Sequence, residues 1–277
     1  MVTGNDILIG TDSSWTEIGR DESSSGDGMA KDEFSRDLDS LLSRIRPAAD
    51  SGTMDQLREI RNRLVALKRK QLVQINHSVM EVICARHLMA TGYSVKVEYP
   101  LDKGTIIADI FATRPRQSGA PNSRRHTDAS EERGLLEDTE TLVVEVETGY
   151  VPPMAALSPV QYGQARMAAK TARYGRHGDY FALATPVYNV LPIPDHLFDA
   201  PDIRSREHTD QLKALCDRYY RSPPVTWESL AAARIDNIYV VDVDSTNVVQ
   251  VQASDYRSTV LAACFQALCS TTDITSP

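Results

Sequence analysis

Two apolar runs in this chain carry acids, and they constrain its fold more than any other feature. The first is Ile106-Ile107-Ala108-Asp109-Ile110-Phe111. The second is Leu142-Val143-Val144-Glu145-Val146-Glu147. Both read as strands, and the Val content of the second predicts a central position. Asp and Glu are disfavoured in strands and are rarely fully buried without a partner. Strand residues two apart share a face, roughly 6.7 Å apart along the chain. Glu145 and Glu147 therefore point the same way, and pairing of the two strands brings Asp109 to that face. Clustered carboxylates relieve their repulsion with a shared proton or a cation. An oxygen-rich ligand set suits a hard cation, Mg²⁺ or Mn²⁺. The competing reading is an amphipathic strand whose Glu145 and Glu147 simply face solvent.

The surrounding periodicities supply the other elements. Leu57, Ile60, Leu64 and Leu67, followed by Leu72, Ile75, Val79, Ile83 and Leu88, predict one long helix over 54–90, stopped by Gly92. Alternation over 94–99 and a turn at 100–104 predict a hairpin with the Asp109 strand. Helices are expected over 160–174, 206–220, 227–234 and 255–268, and strands over 180–184, 238–243 and 248–251. Residues 114–138 read as a long loop inside the domain. The order of elements favours an α/β sheet with helices on its faces. That domain is expected over 54–270, with a C-terminal extension from about residue 190. Residues 1–53, rich in Ser, Gly and Asp, read as a disordered acidic tail, with a short helix near Phe34–Ile45 as the ordered element considered within it.

Global charge says little about partners here. Of the net −8, the first 40 residues carry −7, which leaves −1 for the rest. Four cysteines show no C-x-x-C pair and no zinc spacing, which fits a reducing cytoplasm. No apolar run approaches the roughly 20 residues of a membrane helix, and the N-terminus lacks signal-peptide features. Phosphate-loop, dinucleotide, nucleophile-elbow and H-E-x-x-H motifs are missing from the sequence.

With these residues in place, the chain resembles the PD-(D/E)XK nuclease superfamily, which has the restriction-endonuclease-like fold. The resemblance spans about Asn76 to Thr185. It is similar in particular to uncharacterised archaeal members with E-x-E in place of E-x-K. The resemblance implies a mixed sheet flanked by helices and metal-dependent hydrolysis of phosphodiester bonds in DNA, or secondarily RNA. It implies Asp109, Glu145 and the main-chain carbonyl of Val146 as metal ligands for Mg²⁺ or Mn²⁺. Glu81, on the first core helix, would support metal or water. Glu147 stands where the superfamily has its lysine, and Lys170 on the next helix is the candidate to supply that charge.

Arg166, Lys170, Arg173 and Arg176 lie at steps of four, three and three with no acid among them. They are the candidate nucleic-acid-binding face, the alternative being a solvated basic helix face. Arg58 to Lys70 and Arg124-Arg125-His126 are further basic stretches. The expected partners are nucleic acid, DNA first, with a homodimer as the assembly considered and no membrane. Two other functions stay open: a catalytically silent nucleic-acid-binding or scaffold member of the same fold, and a protein–protein adaptor.

Overall fold

The computed structural model describes residues 26–116 and 139–259, with side chains from residue 33 onward. One six-stranded mixed sheet organises them. Its strands are β1 (Ser94–Leu101), β2 (Ile106–Pro115), β3 (Thr139–Val146), β4 (Tyr180–Pro186), β5 (Asn237–Asp242) and β6 (Asn247–Gln252). They lie side by side in chain order. β1, β2 and β3 pair antiparallel, β4 runs parallel to both β3 and β5, and β6 closes antiparallel. The two parallel joints need crossovers, and helices provide them. α4 (Pro159–Tyr174) links β3 to β4, while α5 (Arg206–Tyr219) and α6 (Trp227–Ala232) link β4 to β5.

Helices cover both faces of the sheet. α1 (Gly26–Ile45), α2 (Ser51–Lys68) and α3 (Ile75–Ala90) share one apolar core with Ile110, Val144 and Val146. The crossover helices share the other with Val143, Phe181 and Leu183. Val143 and Val144 thus face opposite layers, so β3 is enclosed on both sides. Among the described residues, no helix is long and apolar enough to cross a membrane.

Two expectations are corrected. The disordered tail does not extend to residue 53. Phe34, Leu38, Leu41, Leu42 and Ile45 are buried along α1, at steps of four, three, one and three. That is the stripe of an amphipathic helix, hidden in the sequence by the Ser and Asp between its apolar positions. α2 then begins at Ser51, with Asp50 as its cap, accepting from the Thr53 N–H at 2.8 Å.

The single helix expected over 54–90 is two. The chain leaves α2 through Gln71, whose φ is +58°, and becomes extended at Gln74. Val73 is buried in the break, so an apolar contact draws the chain inward between the helices. The helical spacing of apolar residues continues across this break, which is why periodicity alone did not reveal it. The expected loop over 114–138 begins later, since Arg114 and Pro115 still pair in β2, and its residues 117–138, with most of the expected last helix, lie outside the described residues; residues 253–259 are helical.

Candidate active site

The site begins where two strands part. β2 and β3 stay in register from Pro115↔Thr139 to Ile110↔Val144, and the next residues are Asp109 and Glu145. Each carboxylate takes a backbone donor that the ladder no longer pairs. Asp109 Oδ2 accepts from the Val146 N–H at 2.6 Å, and Glu145 Oε1 accepts from the Asp109 N–H at 3.2 Å. Acids thus stand in apolar strands because they satisfy buried N–H groups at the fork.

β1 extends the row. Glu98 lies opposite Asp109, between the pairs Val97↔Ile110 and Tyr99↔Ala108. Its φ is +49°, a conformation that side chains other than Gly rarely adopt. Such strain costs on the order of 1–3 kcal/mol and persists only where neighbours enforce it. Arg63 Nη2 helps to do so, donating to the Glu98 carbonyl at 2.6 Å.

α3 lies between the sheet and the outer helices, so even its polar residues are enclosed. Glu81 is completely buried and neither of its oxygens has a hydrogen bond. His77, one turn earlier, places Nε2 3.1 Å from Asp109 Oδ1 and 3.5 Å from Glu81 Oε1. His77, Glu81, Glu98 and Asp109 each offer a ligand atom within 4.8 Å of the others, so the group could hold a metal ion.

α4 enters from the other layer. Its buried alanines, Ala165, Ala168, Ala169 and Ala172, let it sit close to the sheet, and its long cations turn inward. Lys170 Nζ lies 2.8 Å from Glu147 Oε1, 3.2 Å from Glu145 Oε2 and 3.9 Å from Asp109 Oδ2. It also donates to the Val146 carbonyl at 3.1 Å. Arg166 Nε donates to Glu147 Oε1 at 3.0 Å. The residues expected as metal ligands, Asp109, Glu145 and Val146, are therefore together, with the Lys170 ammonium among them.

Behind Glu147 the chain turns at Gly149, φ +83°. A Cβ there would meet Asn189 Oδ1 at 2.5 Å. Asn189 Nδ2 points to the Glu147 carbonyl, 3.5 Å away. Glycine is thus required on two counts, by conformation and by room.

Five carboxylates crowd two inward cations, and their titration reflects that excess. Burial, then the charges of Glu98 and Asp109, push Glu81 well above the ordinary carboxylate range. Burial and Asp109 raise Glu98 to about 7. Glu145 is raised by burial and by Asp109, and Lys170 only partly offsets this because it is shared. Burial works against the charged form of Asp109 too, but His77 and Lys170 outweigh it and hold the group at about 2. For Lys170, burial disfavours the ammonium, yet Glu147, Glu145 and Asp109 together keep it charged. His77 is likewise depressed by burial, but Asp109 overrides this and raises it. The cluster thus pairs an ionised Asp109 with protonated neighbours that a cation would displace.

Of the residues expected from sequence, the site gathers Glu81, Asp109, Glu145, Val146, Glu147, Arg166 and Lys170. The common basic face is corrected. Arg173 donates to the Pro223 carbonyl at 2.8 Å and lies over the Tyr220 ring. Arg176 lies past the end of α4 and pairs with Asp102 at 3.6 Å. Equal spacing places side chains on one helical side only while the helix continues, and α4 stops at Tyr174. Elsewhere, Arg58 pairs with Asp55 and Arg61 with Asp39. Arg124, Arg125 and His126 lie outside the described residues. Sequence reading missed Glu98 and gave His77 no firm role. The reading of 94–99 rested on its apolar alternation and left Glu98 unassigned; the available signal was an acid, Glu98, in the strand paired with that of Asp109.

No family model, curated protein or solved structure matches the chain.

Proposed function

We propose that this protein is a metal-dependent hydrolase of phosphodiester bonds in nucleic acid, DNA before RNA. The observation that carries the reading is the fork itself. Asp109 and Glu145 face each other where β2 and β3 part, with an ammonium from α4 in reach of both. The E-x-E pattern removes a positive charge from β3, and Lys170 brings one to the same place from the next element.

The residues present fit a divalent cation. Glu81 is a completely buried acid, and with His77, Glu98 and Asp109 it brings four ligand atoms within 4.8 Å, a set whose protons a cation would displace. Asp109 with His77, Glu81 and Glu98 would hold the ion. Carboxylates favour Mg²⁺ or Mn²⁺, and the imidazole inclines the set toward Mn²⁺. Such an ion supplies charge stabilisation at a phosphoryl oxygen and lowers the pKa of bound water. Glu145 and the Val146 carbonyl join that shell where Lys170 yields its place.

The chain's own groups have separable tasks. Glu147, held by Arg166, positions the Lys170 ammonium rather than acting as a free base. Lys170 is then placed to hydrogen-bond a water or a phosphoryl oxygen beside Glu145. Without an ion, His77 Nε2 contacts Asp109 and orients that carboxylate; with an ion bound, the same nitrogen would give up that contact to serve as a ligand. Because Arg173 and Arg176 are turned elsewhere, Lys170 is the cation of the expected basic face that this reading places at the substrate.

The test is cleavage of a mixed panel of DNA and RNA structures with Mg²⁺ and with Mn²⁺, wild type beside Asp109→Asn. Metal-dependent cleavage that Asp109→Asn abolishes supports the reading. No cleavage of any substrate, or equal cleavage by the variant, refutes it. Nucleic-acid binding without cleavage would favour the silent member of the same fold.

A further inference from the structure

A second group of ligand side chains lies on the connection between β4 and β5, apart from the acidic fork. His196, Asp199 and His208 each place a ligand atom within 4.8 Å of the other two. His196 belongs to a 3₁₀ turn over Asp195–Leu197, and His208 lies in the first turn of α5. We propose that these three residues form a zinc-type site that clasps this connection to α5. The inference is independent of the proposed hydrolase activity.

The backbone under the ligands is fixed by one buried residue. The Arg204 guanidinium donates to the His196 carbonyl at 2.7 Å and to the Asp199 carbonyl at 2.9 Å. It also donates to the carbonyls of Leu230 and Ala233, at 2.7 and 2.9 Å. Two ligands are thereby anchored to the body of the protein. The third is set by the helix cap, where Ser205 Oγ accepts from the His208 N–H at 3.1 Å. Preorganisation of this kind lowers the ordering cost of binding.

The rings show the chemistry. His196 and His208 stack with centroids 3.8 Å apart and planes within 15°. His208 Nδ1 is buried and has no hydrogen-bond partner, a cost that a metal bond would remove. His196 Nε2 lies 3.1 Å from Gln211 Oε1. In the tautomer in which Nε2 donates to that oxygen, Nδ1 keeps its lone pair for a ligand. The stacked rings hold their lone pairs nearly parallel, so binding one ion would require rotation about the soft second torsion of each ring, with His196 giving up its contact to Gln211. Two imidazoles and one carboxylate are a zinc ligand set, with a fourth position left for water. Mg²⁺ prefers oxygen and is excluded by the same chemistry.

The experiment uses the full chain without an affinity tag and Co²⁺ as a visible substitute for zinc. The Asp109→Asn background weakens the acidic cluster as a competing site. One equivalent of Co²⁺ should give the visible absorption of a nitrogen- and oxygen-ligated ion, and one equivalent of Zn²⁺ should bleach it. The band should persist in Asp109→Asn and disappear in His196→Ala and in His208→Ala. A band that both histidine variants keep, or no binding at all, overturns the proposal. Should a variant fail to fold, the wild type decides by NMR of its imidazole nitrogens. One equivalent of Zn²⁺ must shift both His196 and His208 rings, and unmoved rings overturn the proposal.

Discussion

Replacing Lys170 with Met tests the charge balance of the fork most directly. Met nearly preserves volume and removes only the ammonium. In the wild type Lys170 is 4% exposed and touches Glu147, Glu145 and the Val146 carbonyl within 3.2 Å. Breaking a buried ion pair on one side typically costs about 3–5 kcal/mol, because the remaining charge has no partner. For a chain of this size that lowers the melting temperature by about 6–20 °C. The loss must depend on pH. Without the ammonium, which partly offsets burial and Asp109, Glu145 retains its proton more strongly in the folded state. A carboxyl group whose folded pKa is raised loses stability as pH rises from its unfolded to its folded value. The deficit of Lys170→Met should therefore be largest at pH 7–8 and shrink toward pH 5. Mn²⁺ should rescue the variant more than it stabilises the wild type, since it supplies the missing cation. Urea unfolding followed by circular dichroism at pH 5 and pH 8, with and without Mn²⁺, measures all three effects. A deficit below about 1 kcal/mol that ignores pH is what an exposed lysine would give, and it would refute the placement of Lys170 among these carboxylates.

Two further outcomes follow from the same structure. Leu38 is fully buried on α1, so Leu38→Ala should cost about 2–5 kcal/mol by urea unfolding; a change within the noise would show that α1 does not pack on the core. Glu98 titrates at about 7 because of burial and Asp109, so its contribution is complete below the ordinary carboxylate pKa and declines as pH rises toward 7. Glu98→Gln imitates the protonated form. It should gain on the order of 1–3 kcal/mol relative to wild type between pH 5 and pH 8, and parallel stability curves would contradict that shift.

How much of this was legible in the sequence depends on whether the cause was local. The strands were, because β-branched runs and alternation act over a few residues. The acids of the fork were legible for the same reason, since Asp109 and Glu145 break apolar runs whose character is evident locally. Helix α1 was legible in part: its second half, near Phe34–Ile45, was expected as a short helix, but composition averaged over fifty residues made the segment read as tail and hid the stripe of five that packs it on the core. The break between α2 and α3 carries neither Gly nor Pro, and Gln71 adopts its positive φ because Val73 packs inward. Glu98 became a site residue only through register across β1 and β2. Its own strand pattern placed it toward solvent. The fate of Arg173 and Arg176 likewise depends on where α4 ends and what α5 presents to it, which spacing does not encode.

Under the proposed reading, an acid at Glu147 in place of the lysine that the resemblance implies acquires a physical meaning from this arrangement. A lysine at that position would carry its charge on the same strand as Glu145. Here the strand carries a second acid, and the charge arrives on α4, where the buried alanines allow close approach. Glu147 then has two cationic partners, Arg166 and Lys170, and both are needed. Arg166 alone would leave Glu145 without a nearby ammonium. Lys170 alone would be drawn toward two flanking glutamates with nothing to offset Glu147. Arg166 Nε and Lys170 Nζ share Glu147 Oε1, at 3.0 and 2.8 Å, and Lys170 remains within reach of the fork. Glu147 and Arg166 thus act as the positioning pair for Lys170. Exchange of Glu147 for lysine should repel Lys170 and Arg166 together, unless both are changed with it. The E-x-E pattern and the α4 cations therefore form one unit.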